Sequence, residues 1–206
     1  YVKEGVRLTG DITVDGKHYF LDEEGVLKQG IVLIDGKKFF IDSEGNRQAG
    51  WKKVESDWYY FSKEDGMKTG WLKDGGKWYH FNAAGVMQKW WFKEGDTWYY
   101  LNGSGEMQTG WLQDGGTWYY LNGSGAMKAS QWFQVGGTWY YLDNSGAMKT
   151  GWLKQGGSWY YLDGSGAMKT GWFQVDGKWY YAYSSGALAV STTINGYTVN
   201  ANGEWV

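Results

Sequence analysis

The sequence predicts an all-β solenoid of stacked β-hairpins, about 20 residues to the repeat. Three observations predict it. A Gly-Trp pair returns at Gly50-Trp51, Gly70-Trp71, Gly110-Trp111, Gly151-Trp152 and Gly171-Trp172, with Trp90-Trp91 and Gln131-Trp132 keeping the phase between them. A second Trp follows seven residues behind each first one: Trp58, Trp78, Trp98, Trp118, Trp139, Trp159 and Trp179. Turn residues then separate one aromatic run from the next.

Within a repeat, the elements follow in order. Counting the first Trp as zero, Trp71-Leu72-Lys73-Asp74 is one strand and Lys77-Trp78-Tyr79-His80-Phe81 the next. Gly75-Gly76 between them fits a two-residue hairpin turn, since both glycines accept positive φ. A Gly follows at position fourteen, and all six methionines fall at position sixteen, with Leu188 in that place in a later repeat. A second turn, such as Asn102-Gly103-Ser104-Gly105, leads into the next repeat. One isolated hairpin is barely stable, so stacking must supply a shared core.

Composition bounds the function. Trp 16, Tyr 17 and Phe 8 make aromatics 20% of the 206 residues, with Gly 34. That mixture suits strands and tight turns. A net charge of −2 supplies no cationic field for a nucleic acid or an anionic lipid surface. With Cys 0 there is neither a disulfide framework nor a thiolate metal site, which leaves secretion open. No apolar stretch approaches a membrane span, so direct membrane insertion is not expected. No signal peptide is read, and the chain opens in mid-pattern at Tyr1, so a piece of a longer polypeptide is expected.

Strand alternation assigns the faces. With Gly75-Gly76 as the loop, Trp71 lies opposite His80 and Lys73 opposite Trp78, so the two Trp share one face and Leu72, Tyr79 and Phe81 the other. Stacked, two indoles of one repeat meet a phenol of the next, with the Met as a soft apolar floor. Such an open aromatic box suits a quaternary ammonium. Choline recognition by aromatic boxes is an established general case, applied to these residues rather than derived from them. Sites in series against a polymer of ligands bind through effective concentration.

The run Asp-Gly-Gly-Thr-Trp-Tyr-Tyr-Leu-Asn-Gly-Ser-Gly-Ala-Met-Lys from Asp114 to Lys128 resembles the choline-binding repeat of pneumococcal-type surface proteins and autolysins. The likeness covers residues 50–188, with degenerate forms at 5–49 and 189–206. It implies a left-handed superhelix and phosphocholine of cell-wall teichoic or lipoteichoic acids as the ligand. It further implies six cages: Trp51, Trp58 and Tyr79; Trp71, Trp78 and Tyr99; Trp91, Trp98 and Tyr119; Trp111, Trp118 and Tyr140; Trp132, Trp139 and Tyr160; Trp152, Trp159 and Tyr180. Met67, Met87, Met107, Met127, Met148 and Met168 would lie nearby. A seventh at Trp172 and Trp179 is not expected, because the last repeat places Thr192 at position zero and shortens its turn before Tyr197. The extra residue at Ser130-Gln131 falls before Tyr140 of the fourth cage and leaves that cage's register open.

Residues 1–49 are expected to be structural or a junction, since Asp11 and Ile31 replace the first Trp while His18 and Lys38 replace the second. Residues 189–206 are expected to cap the array. The carboxylates Asp74, Glu94, Asp96 and Asp114 read as solvated turn residues, and neither His18 nor His80 reads as catalytic or metal-binding. No catalytic constellation, metal site or cofactor is expected, so the chain is read as a non-enzymatic, extracellular, cell-wall-associated module. Three other readings remain open: a glucan- or carbohydrate-binding array, the anchor of a cell-wall hydrolase whose catalytic module lies elsewhere, and an adhesin for a host protein.

Overall fold

The computed structural model describes Val2, Lys3 and residues 5–206, and every side chain among them except those of Val2, Lys3, Lys17 and His18. The described residues hold strands and turns and no helix. They fall into two compact units, Tyr1–Gln108 and Thr109–Val206.

The first unit contains the hairpins Gly10–Val14 with Lys17–Leu21, Gly30–Ile34 with Lys37–Ile41, Gly50–Val54 with Asp57–Ser62, Gly70–Asp74 with Lys77–Phe81, and Trp90–Glu94 with Thr97–Leu101. The second contains Gly110–Asp114 with Thr117–Leu121, Gln131–Val135 with Thr138–Leu142, Gly151–Gln155 with Ser158–Leu162, Gly171–Val175 with Lys178–Ala182, and the shorter Thr192–Ile194 with Tyr197–Val199. All of these pairs are antiparallel. Trp71 faces His80 and Lys73 faces Trp78, as the alternation predicts, and the other Trp-bearing hairpins repeat that register.

Register follows from turn chemistry. Gly75 and Gly76 take φ of 54° and 80°, the two positive values a type I′ turn needs. The connection after most hairpins is closed by an Asn or Asp side chain; Ser62 and Tyr183 stand in that place after the Trp51 and Trp172 hairpins. Asn102 Oδ1 accepts the backbone N–H of Ser104 and of Glu106 at 2.9 and 3.0 Å, an Asx turn that satisfies two backbone donors. Gly105, at φ 82°, completes that turn, and a Cβ there would collide with the Met87 thioether. The Trp51 repeat departs from the pattern: Asp65 stands at position fourteen and Gly66 takes the positive φ of 80°.

One column of residues holds each unit together. Leu21, Ile41, Phe61, Phe81 and Leu101 in the first, and Leu121, Leu142, Leu162, Ala182 and Val199 in the second, are at most 5% exposed. Each ends the second strand of its hairpin except Phe61, whose strand runs one residue further to Ser62. Burying a Leu or Phe side chain contributes about 1.5–3 kcal/mol, so this column carries the stacking. Backbone bonds reinforce it: the N–H of Met87 donates to the carbonyl of Trp58, and Met107 to Trp78, at 2.8 Å. In the second unit Met148 and Met168 donate likewise to Trp118 and Trp139.

Candidate functional site

The indole pairs stand on the face opposite their own hairpin's column residue, and the tyrosine that closes each cage comes from the column face of the next hairpin. In the first unit Trp51 and Trp58 stand edge-on with centroids 6.4 Å apart, and Tyr79 of the next repeat closes on Trp51 at 4.8 Å. Trp71, Trp78 and Tyr99 repeat this at 6.3 and 5.0 Å. In the second unit Trp111, Trp118 and Tyr140 stand at 6.3 and 4.8 Å, and Trp152, Trp159 and Tyr180 at 6.4 and 4.9 Å. Trp132 meets Tyr160 at 4.9 Å, with Trp139 on the same hairpin. Trp91 and Trp98 pair at 6.5 Å in the first unit, while Tyr119 belongs to the second.

Within each triad the rings do different work. The first Trp is half-buried and braced edge-on by the ring at position nine: Tyr60 on Trp51, His80 on Trp71, Tyr120 on Trp111 and Tyr161 on Trp152. The second Trp is 37–43% exposed in all seven hairpins that carry a Trp pair. It forms the open wall. The tyrosine at position eight is therefore the one that closes the preceding cage, and the one at position nine is packing. Burial, helped by the carboxylates of Glu106 and Asp74, raises the Tyr79 phenol above its ordinary range, so that wall stays neutral. Lys73 and Lys154 hold their ammonium groups 5.8 Å from the centroids of Trp78 and Trp159, so these indoles already attract cations.

The rings leave space. A cavity of about 480 Å³ lies among Trp51, Trp58, Tyr79, Met87, Lys89, Gly103 and Ser104. Another of about 220 Å³ is lined by Trp111, Trp118, Tyr140, Met148 and Ser165. A third, of about 360 Å³, is lined by Trp152, Trp159, Tyr180 and Leu188 among others. The methionine thus comes from the repeat that supplies the tyrosine. By that rule Met67 falls to the position that has Ile31 and Lys38 in place of indoles; its thioether packs beneath Gly85, as that of Met87 packs beneath Gly105.

One open point is answered and one expectation is corrected. The inserted residue does not spoil the fourth triad. Ser130 takes φ 54° and hydrogen-bonds the Asp143 carbonyl and Asn144 Oδ1, so Gln131 begins the strand in the usual register. The last repeat also closes a cage. Thr192 pairs with Val199 and Thr193 with Thr198, which puts Thr193, not Thr192, at position zero. Tyr197 then occupies position eight, 5.7 Å from Trp172. Trp205 takes the methionine place: it donates its backbone N–H to the Trp179 carbonyl, as Met168 does to Trp139. Trp172, Trp179, Tyr197 and Trp205 enclose about 330 Å³. The shortened turn hid this, because counting forward from the Trp loses phase where residues are deleted, whereas counting back from Trp205 keeps it.

Sequence reasoning missed the carboxylates. Asp74 Oδ2 accepts the Trp51 indole Nε1–H at 2.9 Å, and Glu94 Oε2 accepts that of Trp71 at 2.7 Å. Each acid lies at position three of the following repeat, which was the available signal. Glu94 also stands 3.6 Å from His80 Nε2, and His80 itself is buried between Trp71 and Phe92.

Residues 5–49 keep the hairpin register and lose the indoles. Asp11 in the first-Trp slot accepts from Arg47 Nη2 at 3.2 Å, and the Arg47 guanidinium lies 4.3 Å from the centroid of Phe39, the ring in the tyrosine slot. Arg47 itself occupies the methionine slot. The His18 side chain, in the second-Trp slot, lies outside the described residues.

Stacked hairpins with edge-to-face indole pairs, each closed by a phenol of the next repeat, define a cation-binding aromatic repeat protein. The comparisons make the class specific. A choline-binding repeat model matches residues 68–107, 131–171 and 150–193, and a putative cell wall binding repeat model matches 49–66 and 109–127. The structure of CbpJ from Streptococcus pneumoniae is 36% identical with a TM-score of 0.80, covering 100% of this chain and 96% of its own. Choline binding protein F from Streptococcus pneumoniae, crystallised with a peptidoglycan analogue, is 34% identical at TM-score 0.77, covering 100% and 95%. The modular autolysin LytC of that species is 28% identical at TM-score 0.68, over 96% of this chain and 48% of its own. No curated protein sequence matches significantly. The chain belongs to the choline-binding repeat family and is a cell-wall-binding module.

Proposed function

We propose that the Trp-Trp-Tyr cages hold the trimethylammonium head of choline on cell-wall teichoic acids and that the chain is a non-catalytic, extracellular anchor. The observation that carries this is the open indole wall. The second Trp of each pair stays near 40% exposed beside a ring-lined cavity, where burial for stability alone would close it. The ring faces attract the cation and pack its methyl groups, at about 0.5–2 kcal/mol per ring. No single cage then binds tightly, and the array gains by multivalency.

Residues 50–188 supply the indole pairs, residues 1–49 serve as structure or junction, and residues 189–206 close a further cage on Trp172 and Trp179 as well as capping the array. The glucan-binding alternative is disfavoured. Sugars need polar side chains around one ring face, whereas the Trp111 cavity has a single polar lining residue, Ser165.

Equilibrium dialysis of the full chain against labelled choline tests the reading, with at least six choline bound per chain expected. Replacing Trp111 and Trp118 together by Ala should remove one of these and leave the rest. Retention on dextran with no response of Trp fluorescence to choline would overturn the proposal.

A further inference from the structure

The cage of Trp51, Trp58 and Tyr79 has a rim unlike the others. Lys89 lines it, at position eighteen of the Trp71 repeat. That position is Thr69, Thr109, Ala129, Thr150, Thr170 and Val190 in the other caged repeats, so Lys89 is its one cation. Lys89 is exposed and makes no ion pair among the described residues. A fixed ammonium beside a cation cage repels a bare cation. It becomes favourable only if the ligand carries an anion close behind its ammonium, as a phosphocholine ester does.

The next residue departs further. Trp90 stands where Gly50, Gly70, Gly110, Gly151 and Gly171 stand in other repeats, and its φ is 65°. A bulky side chain in that region is strained, and such outliers concentrate at functional sites. Packing recovers little of the strain, since Trp90 is 57% exposed and touches mainly Tyr100, at 6.1 Å between centroids. The indole lies over Gly103, where a Cβ would meet its Cη2 at 3.4 Å; the corresponding Gly123 and Gly164 have nothing above them. Gly103 and Ser104 also line the cage. Cage, ammonium, hydroxyl and exposed indole therefore form one continuous surface.

We infer that this surface is an extended subsite, in which Lys89 and Ser104 take the phosphate of a phosphocholine ester and Trp90 stacks on the pyranose that bears it. The inference rests on the choline reading of the cage. It makes this cage the one that reads the glycan, while its neighbours read the ammonium alone.

Indole N–H resonances of the full chain give a readout site by site, with choline, phosphocholine and a synthetic hexopyranoside carrying a phosphocholine ester as probes. Choline should move Trp51 and Trp58, and only the pyranoside should move Trp90. Lys89→Thr, which installs the residue found in the sister repeats, should lower the phosphocholine preference at this cage by roughly two- to fivefold, the range of a partly exposed ion pair. Trp90→Gly restores the usual residue and relieves the strain, so folding is safe. It should reduce pyranoside affinity roughly two- to tenfold and leave choline unchanged. If choline moves Trp51 and Trp58 while both variants bind all three probes like the parent chain, the subsite is overturned and the cage stands. If choline moves neither indole, the cage reading falls, and the subsite with it.

Discussion

Two places in the first compact unit share a backbone and differ in what fills them. Between the Asp11 and Ile31 hairpins, the slots that elsewhere hold Trp, Tyr and Met hold Asp11, Phe39 and Arg47. There a guanidinium of the protein lies on the aromatic ring and against a carboxylate. Between the Trp51 and Trp71 hairpins the same slots hold Trp51, Trp58, Tyr79 and Met87 around an open cavity. Both have the column residue in place, Ile41 in one and Phe81 in the other. The comparison teaches that one kind of slot can be filled in two ways. Where Trp51 and Trp58 stand it is left open to solvent, and between the Asp11 and Ile31 hairpins, where the indoles are lost, Arg47 fills it with a cation of the protein's own. It also separates duties: the column residues make the solenoid and the cage residues are free to change.

The largest effect should come from breaking that separation on the column side. Leu121→Ala empties a position with no solvent exposure and should cost about 2–5 kcal/mol in denaturant unfolding. Its loss should weaken neighbouring cages, because repeats are stabilised by their neighbours. Trp118→Ala, three residues away on the open wall, should cost under about 1 kcal/mol and still abolish its own site. Equal destabilisation by the two would mean that the indoles hold the stack together, and that cage and column are not distinct.

This division explains what the sequence disclosed. The phase of Trp, Tyr, Gly and Met is periodic, so hairpin register, face assignment and most triads could be read by counting. Three things escaped it. The Tyr197–Trp205 closure sits beyond a deletion that breaks the count. The partners of Trp51 and Trp71, Asp74 and Glu94, belong to the following repeat, and only stacking brings them to the indoles. The Arg47 contacts run from position sixteen of one repeat to position zero of another, with residue types found nowhere else in those slots. In the last two cases the missing information was the offset between hairpins, which strand alternation does not contain.

A smaller effect separates two kinds of connection by pH. Asn82, Asn102 and Asn122 close theirs with an amide, whereas Asp143 and Asp163 use a carboxylate. Burial pushes the Asp163 carboxyl up, but hydrogen bonds from Ser165 Oγ, Lys169 Nζ and two backbone N–H groups outweigh it and hold the pKa at about 2. A carboxyl depressed in the folded state contributes stability that is fully present above its unfolded value of 3.8 and is lost as pH falls toward 2. With partial solvent screening the contribution is on the order of 1 kcal/mol. Asp163→Asn, the residue already used at the sister positions, should keep the turn and flatten the loss of stability between pH 4 and 2. An unchanged acid limb in thermal melts would show that the Asx turn, and not the charge, accounts for that connection's stability.

The smallest expected effect bears most directly on the comparison. The Arg47–Asp11 pair is exposed, so each partner alone should be worth only about 0.2–1 kcal/mol. Phe39 adds a cation–π contact of about 0.5–1 kcal/mol. A double-mutant cycle of Arg47→Ala with Phe39→Leu, read by chemical denaturation, should therefore give a coupling below about 1 kcal/mol but above zero. Choline stoichiometry should not change in Arg47→Ala, since one Phe ring and one carboxylate do not make the three-walled enclosure that the indoles provide. If that variant instead bound an additional choline, the indole pair would not be what confers binding. The slot between hairpins would suffice, and Arg47 would have to be understood as an internal competitor for it.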